Sequence, residues 1–182
     1  MTLIFKTQYL RKYAARAALS GLVVSASLSM AIPSFAAEPQ LVGTFGKWAA
    51  YTRSDNGDKV CYVLAEPSKK TPGSVKHGDI FFMVSNWKSG SASEQPSFVA
   101  GYPLKVTSPP TAIVGSHRER MFVSQNEGFI KDNGDERSLV KRMRAGANMR
   151  VSAVSHRGTA VSYEFSLKGV TAALAKAKSS CS

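Results

Sequence analysis

Three histidines are the side chains best suited to acid–base or metal chemistry in this chain of 182 residues. His77, His117 and His156 each stand in a segment rich in turn residues, and His77 has an acid, Asp79, two residues away. A metal site would have to collect its ligands from three separated segments, and the cysteines offer no C-x-x-C spacing. We therefore interpret the histidines as exposed or turn-capping residues, and we expect no metal ion and no other cofactor.

The sequence motifs of the commonest enzymes are missing. The chain contains no G-x-S-x-G, no P-loop, no G-x-G-x-x-G and no H-E-x-x-H. S-x-x-K occurs at Ser85/Lys88 and at Ser138/Lys141, but 24 Ser and 14 Lys are enough to produce such matches by chance. The S-D-N and K-T-G partners of a penicillin-type site are absent. We therefore expect a protein that is not an enzyme.

Basic residues are the remaining candidates for a binding site. Three lysines fall within residues 68–77, and three further bases recur at i, i+4 and i+7 on one face of a predicted helix. Such surfaces attract the phosphate or sulfate groups of polyanions, for example lipopolysaccharide or glycosaminoglycans. The predicted polyanion-binding residues are Lys69, Lys70, Lys76, Arg137, Lys141 and Arg144. The alternative interpretation is a loop and a helix face that are merely solvated.

The first 36 residues have the layout of a secretory signal peptide. Basic residues without acids occur over residues 1–16, an uncharged and mostly apolar run follows over 17–32, and small residues precede a cleavage point after Ala36. Cleavage leaves one domain, residues 37–182, with 20 basic and 12 acidic side chains. We expect this mature form in the periplasm, at the outer membrane or secreted, without a transmembrane helix. A retained anchor helix is the alternative.

The mature chain holds the only two cysteines, Cys61 and Cys181. An even number of cysteines in an exported protein indicates a disulfide, and neither a redox C-x-x-C nor nearby histidine ligands support another use. We predict that these two residues are bonded.

Runs of aromatic and β-branched residues separated by short turns predict antiparallel strands. The strands are predicted over residues 45–53, 60–65, 80–87, 97–102, 112–114, 120–124, 128–130, 149–155 and 160–167. An Asn56-Gly57 turn joins the first two strands, and the last two form a second hairpin. Residues 68–77 are predicted to be a solvated cationic loop. Residues 80–87, which are apolar at nearly every position, predict a strand that is covered on both faces or lies at the centre of a sandwich.

Two aromatic pairs on these strands raise the question of a sugar-stacking platform. Trp48 with Tyr51, and Phe81 with Phe82, are more simply interpreted as core residues.

Two short helices complete the predicted fold. The first follows Asp135, with acids at its start and bases at its end, and Gly146 is expected to stop it in the left-handed conformation. The second is predicted over residues 172–178, capped by Thr171 and ending near Cys181.

The order and spacing of several short motifs resemble the invasion-associated locus B family of exported bacterial proteins. They are W-A-A-Y-T (48–52), K-V-C-Y (59–62), A-x-P (65–67), V-A-G-Y-P (99–103), M-x-x-G (143–146), S-x-R-G-T (155–159) and S-L-x-G-x-x-A-A (166–173). The resemblance implies an immunoglobulin-like β-sandwich exported to the cell envelope. The family name records a link to host-cell entry, and the family offers no catalytic motif to transfer.

Three functions are compatible with these observations. The preferred one is non-enzymatic binding of an envelope or host-surface partner, which includes polyanions. A role in host-cell interaction is one form of such binding. Nucleic acid is not expected as a ligand. The second is an envelope hydrolase with a dispersed site, and the third is a structural envelope component. A cleft with a histidine beside a carboxylate and a nucleophile would favour the hydrolase.

Overall fold

The computed structural model describes residues 38–182, which form two antiparallel β-sheets and two helices. In chain order the elements are β1 (Gln40–Phe45), β2 (Trp48–Asp55), β3 (Asp58–Ala65), β4 (Lys69–Thr71), β5 (Ile80–Trp87), β6 (Gln95–Ala100), β7 (Thr111–Val114), β8 (His117–Arg120), β9 (Phe122–Ser124), β10 (Glu127–Phe129), α1 (Asn133–Ala145), β11 (Asn148–Val154), β12 (Ala160–Ser166) and α2 (Val170–Ser180). This confirms the mainly β sandwich with two short helices. The predicted signal peptide, residues 1–36, lies outside the described residues.

The strands are arranged as one sheet of seven and one sheet of five. The first has the order β1-β2-β3-β5-β6-β10-β9, and the second has the order β4-β12-β11-β7-β8. The β2–β3 turn places Asn56 and Gly57 at φ values of 50° and 85°, as expected for this pair. The hairpin of β11 and β12 also forms as predicted.

Alternate side chains of the two sheets meet in the core. Phe82 on β5 packs edge-on against Phe165 on β12, with ring centroids 5.9 Å apart. The Trp48 indole N–H on β2 donates to the carbonyl oxygen of Ser166 at 2.9 Å. These rings are fully buried, and burial of a large apolar side chain stabilises a fold by roughly 1.5–3 kcal/mol. The aromatic residues of the inner faces therefore hold the two sheets together.

Helix α2 covers the part of the seven-stranded sheet that the smaller sheet leaves open. It packs against β1, β2 and β3 with Ala173, Leu174 and Ala177, which belong to the core. Cys181 follows the helix and is bonded to Cys61 on β3, with the two Cα atoms 5.6 Å apart. The predicted disulfide is thus confirmed, and it fixes the C-terminal helix to the centre of the sheet.

Gly146 ends the first helix as predicted, but the predicted conformation of this cap and the predicted N-cap of the second helix were wrong. Gly146 follows α1 in extended backbone, with φ −90°, and a Cβ there would lie 2.7 Å from Val114, so close packing rather than a left-handed cap requires glycine. α2 begins at Val170 without a side-chain cap. Its N-cap is Gly169, at φ 93°, where a Cβ would collide with the Phe45 carbonyl oxygen. Thr171 therefore lies inside the helix and does not cap it.

Three strand predictions also differ from the structure. The first predicted strand, 45–53, is two strands that meet at a tight turn, where Gly46 has φ 62°. Residues 120–124 divide between β8 and β9, which belong to different sheets, because Met121 between them is drawn into the core. Part of the predicted loop 68–77 is strand β4, paired with β12. In each case tertiary contacts act on a segment whose local pattern is weak.

Candidate anion-binding pocket

A chain of hydrogen bonds starts at His77, which is buried rather than exposed as predicted. Its Nε2 lies 2.8 Å from the Pro72 carbonyl oxygen, and its Nδ1 lies 3.0 Å from the Tyr163 hydroxyl. Because a carbonyl oxygen only accepts, Nε2 donates to Pro72, and Nδ1 shares a hydrogen bond with the Tyr163 hydroxyl. The Tyr163 hydroxyl is in turn hydrogen-bonded to the Tyr102 hydroxyl at 2.7 Å.

This chain of bonds explains why residues 68–77 do not form a free loop. β4 is the edge strand of its sheet and pairs with β12, so that Tyr163 lies opposite Lys70. Lys70 also donates to the Gly78 carbonyl oxygen at 3.2 Å. His77 then closes the segment onto the sandwich with both ring nitrogens satisfied, which removes the cost of burying a polar ring.

A cavity of about 530 Å³ lies beside this histidine. Its lining comes from the segment before His77, from the end of the V-A-G-Y-P motif and from the β11–β12 turn with the S-x-R-G-T motif. The lining residues are Val75, Lys76, His77, Tyr102, Pro103, Ser155, His156, Arg157, Thr159 and Val161. Two segments that carry the family resemblance thus meet at one cavity.

The charge of this cavity is positive. Lys76 and Arg157 are exposed, and no acid occurs among its lining residues within the described part of the chain. Burial raises the pKa of Tyr163, and its hydrogen bond with Tyr102 raises it further. Burial also raises the pKa of Tyr102, against an opposing effect of the same bond. Both hydroxyls therefore stay protonated and uncharged, so the charge of the pocket comes from Lys76 and Arg157.

The six predicted polyanion-binding residues fall into two groups. Lys69, Lys70 and Lys76 lie on or after β4, at one edge of the five-stranded sheet. The others, Arg137, Lys141 and Arg144, lie on α1, which packs against β7 and β8 at the opposite edge and against β6. The two groups therefore do not form one continuous surface on this sheet.

The two groups also differ in their pairing. Arg144 forms a double contact with the Glu94 carboxylate, which neutralises part of the charge of the helix face. In the first group only Lys76 lines the cavity, where it is joined by His156 and Arg157. Sequence analysis did not place Arg157, Tyr102 or Tyr163 in a site. Their membership in two motif segments was the available signal for Tyr102 and Arg157.

The remaining candidate residues are dispersed. His117 lies on β8 with its Nε2 3.4 Å from the Glu119 carboxylate, a pair that sequence analysis overlooked. Asp79 is exposed, and the His77 ring nitrogens have other partners. Within residues 38–182, no group of three His, Cys, Asp or Glu side chains is placed to hold a metal ion. No helix in the same range is long and apolar enough to cross a membrane.

The comparisons with known proteins agree with the motifs. Residues 48–178 match the family model described as invasion associated locus B (IalB) protein. No curated protein and no solved structure matches the chain. The match includes the two motif segments, 99–103 and 155–159, whose residues line the cavity. It extends over more than two thirds of the sequence. The chain therefore belongs to the invasion associated locus B family.

Proposed function

We propose that this protein is an exported, non-enzymatic binding protein of the cell envelope that holds anionic groups in the pocket beside His77. The observation that carries the proposal is the pocket lining, which combines Lys76 and Arg157 with His156 and contains no acid among the described residues. A carboxylate beside the histidine, which general acid–base hydrolysis would favour, is not part of this lining.

The ligand chemistry that fits is a phosphate or sulfate group on a larger polyanion. Arg offers a planar fork of donors to such groups, and Lys adds a point charge. Lipopolysaccharide phosphates and glycosaminoglycan sulfates share this chemistry. Membership in an exported family and the disulfide support a location outside the cytoplasm.

Heparin chromatography of the exported protein tests the proposal. The double variant Lys76→Ser with Arg157→Ser should elute at a clearly lower salt concentration than the wild type, because it removes two cations from one cavity. The matched control is Arg137→Ser with Lys141→Ser, which removes the same charge from α1. Both pairs are exposed, so each double variant should remain folded.

Two results would contradict the proposal. If both double variants shift elution equally, retention depends on net charge and not on the pocket. If the wild type is not retained at low salt near neutral pH, the protein does not bind sulfated polyanions. Where the wild type is retained on heparin, competition by inorganic phosphate or by lipopolysaccharide separates the two sources of the anionic group.

A further inference from the structure

The strand register divides the side chains of the seven-stranded sheet between two faces. Residues paired across neighbouring strands lie on the same face, so the row Ala50, Val63 and Val84 belongs to the core. The next row along the strands, Tyr51, Tyr62 and Ser85, belongs to the outer face. The five-stranded sheet and α2 both pack on the core side. Within residues 38–182 no element covers the outer face.

This outer face is apolar and aromatic. Tyr51 stacks on Tyr62 with ring centroids 5.6 Å apart, and Phe122 lies 5.8 Å from Phe129 at the far edge. The large apolar residues of the face are Leu41, Tyr51, Val60, Tyr62, Leu64, Phe81, Met83, Trp87, Val99, Phe122 and Phe129. Val60 and Tyr62 are buried although they lie outside the core cluster, because they pack among these neighbours.

The outer face of the five-stranded sheet provides an internal comparison. A row of hydroxyls crosses it from Thr71 through Ser162, Ser152 and Thr111, and the row ends at Arg120 on β8. This is the alternation of apolar inner and polar outer residues typical of an antiparallel sheet with one face in water. The seven-stranded sheet departs from that alternation. Contiguous apolar surfaces of this kind mark sites of association.

The charges of the outer face indicate which kind of partner fits it. Its outer strand positions include one base, Arg53, which is paired with Asp55 at 3.0 Å, two further acids, Asp58 and Glu127, and no lysine. The protein as a whole is strongly basic. A surface that binds an anionic membrane or a polyanion carries unpaired basic residues, and this face has none. Two copies of the chain can bring these faces together without opposing their positive charges.

The size of the face also suits a dimer. Seven strands spaced about 4.8 Å apart span roughly 29 Å, and eight residues of β5 extend over about 26 Å. Even with shorter edge strands the face measures on the order of 600 Å² in projection, close to the roughly 800 Å² of accessible surface that each partner buries in a standard interface. We propose that two copies of this protein associate through the outer faces of their seven-stranded sheets, related by a two-fold axis.

Sedimentation equilibrium of the exported protein over a range of concentrations tests this dimer. The wild type should reach twice the monomer mass, and Val99→Lys, which places a charge on the face beside Phe81, should stay monomeric. Val154→Lys is the matched control, because Val154 is equally half-buried and lies on the outer face of the other sheet. Circular dichroism checks that both variants fold.

Tryptophan fluorescence gives a second measurement that needs no disruptive substitution. Trp48 is fully buried in the core, whereas Trp87 lies half-exposed on the outer face. Emission should shift to shorter wavelength as the protein is concentrated, and Trp87→Phe should abolish the shift. A wild type that remains monomeric overturns the proposal, as does a Val99→Lys variant that still dimerises. A monomer whose Trp87 emission shifts only with phosphatidylcholine vesicles would assign the face to lipid instead. None of these outcomes depends on the anion pocket.

Discussion

His77 lies between two partners that are distant in the sequence. Its ring bonds to the Pro72 carbonyl oxygen on one side and to the Tyr163 hydroxyl, 86 residues away, on the other. A single histidine in a lysine-rich segment carries no local sign of burial, so sequence analysis placed it at the surface. The prediction was wrong because the pairing of β4 with β12, which brings the partners together, is set by tertiary structure.

Replacing Tyr163 with Phe tests the importance of this hydrogen-bond chain. The variant keeps the buried ring but leaves the His77 Nδ1 without its hydrogen-bond partner, and an unsatisfied buried polar group costs about 1–3 kcal/mol. We expect the free energy of unfolding, measured in urea, to fall by that amount. Tyr51→Phe is the control, and it should change stability by less than about 0.5 kcal/mol because Tyr51 is on the outer face. Equal small effects would mean that the chain of bonds adds nothing.

Helix α1 is attached to the sandwich through a buried acid as well as through apolar residues. Glu136 is 6 % exposed, in the first turns of the helix, and its carboxyl is hydrogen-bonded to Gln95 at the start of β6. Burial raises its pKa above the ordinary value of 4.5, while the Gln95 bond and Arg137 oppose the rise. The protonated form is therefore the better fit to the folded state.

This pKa shift predicts a pH-dependent effect of Glu136→Gln. The stability that wild type gains from a protonated Glu136 is complete below pH 4.5 and is lost as the pH rises through the raised pKa. The variant should therefore be more stable than wild type near pH 7, by up to about 1 kcal/mol, and should match it near pH 4. Denaturant titrations at the two pH values measure this. Asp135→Asn, an exposed acid in the same turn, should instead lower stability slightly at pH 7 by losing its interaction with the helix dipole. A destabilised Glu136→Gln at pH 7 would contradict the prediction.

Strong local patterns predicted their elements well, and weak ones did not. The Asn56-Gly57 turn and the alternation in β11 and β12 specify their hairpins without help from the rest of the fold. β4 has three residues, two of them lysines, and forms because an edge of β12 is available. The apolar run of β5 predicted a strand covered on both faces or lying at the centre of a sandwich, and β5 is the middle strand of its sheet, with alternate residues buried and the others half-buried. The apolar residues of β5 that remain half-buried, Phe81, Met83 and Trp87, lie on the outer face of the seven-stranded sheet.

The candidate pocket could not have been found from the sequence in the same way. Its lining is collected from three segments, and only Lys76 was singled out in advance for binding. The prediction grouped bases by nearness in the sequence, whereas the fold separates the β4 lysines from the α1 bases and brings Arg157 to Lys76 instead. Proximity between segments is decided by sheet order, which no local pattern contains.

The two proposed sites lie on different parts of the molecule. The pocket is formed at the β11–β12 turn and by the residues after β6, and none of its lining residues belongs to the outer face of the seven-stranded sheet. A dimer joined through those faces would leave a pocket open on each copy. Such a dimer is bivalent toward a long polyanion but not toward a short one.

Bivalence predicts that the dimer-breaking variant binds long heparin more weakly, although it adds a positive charge. A second attachment on the same polymer acts at a high effective concentration, so the wild type should bind a long chain at least about tenfold more tightly than Val99→Lys. Both proteins should bind a heparin disaccharide alike, because each pocket is unchanged. Fluorescence or calorimetric titrations with the two ligands measure the difference. If Val99→Lys binds long heparin as tightly as the wild type does, the pockets act singly and dimerisation has no part in binding.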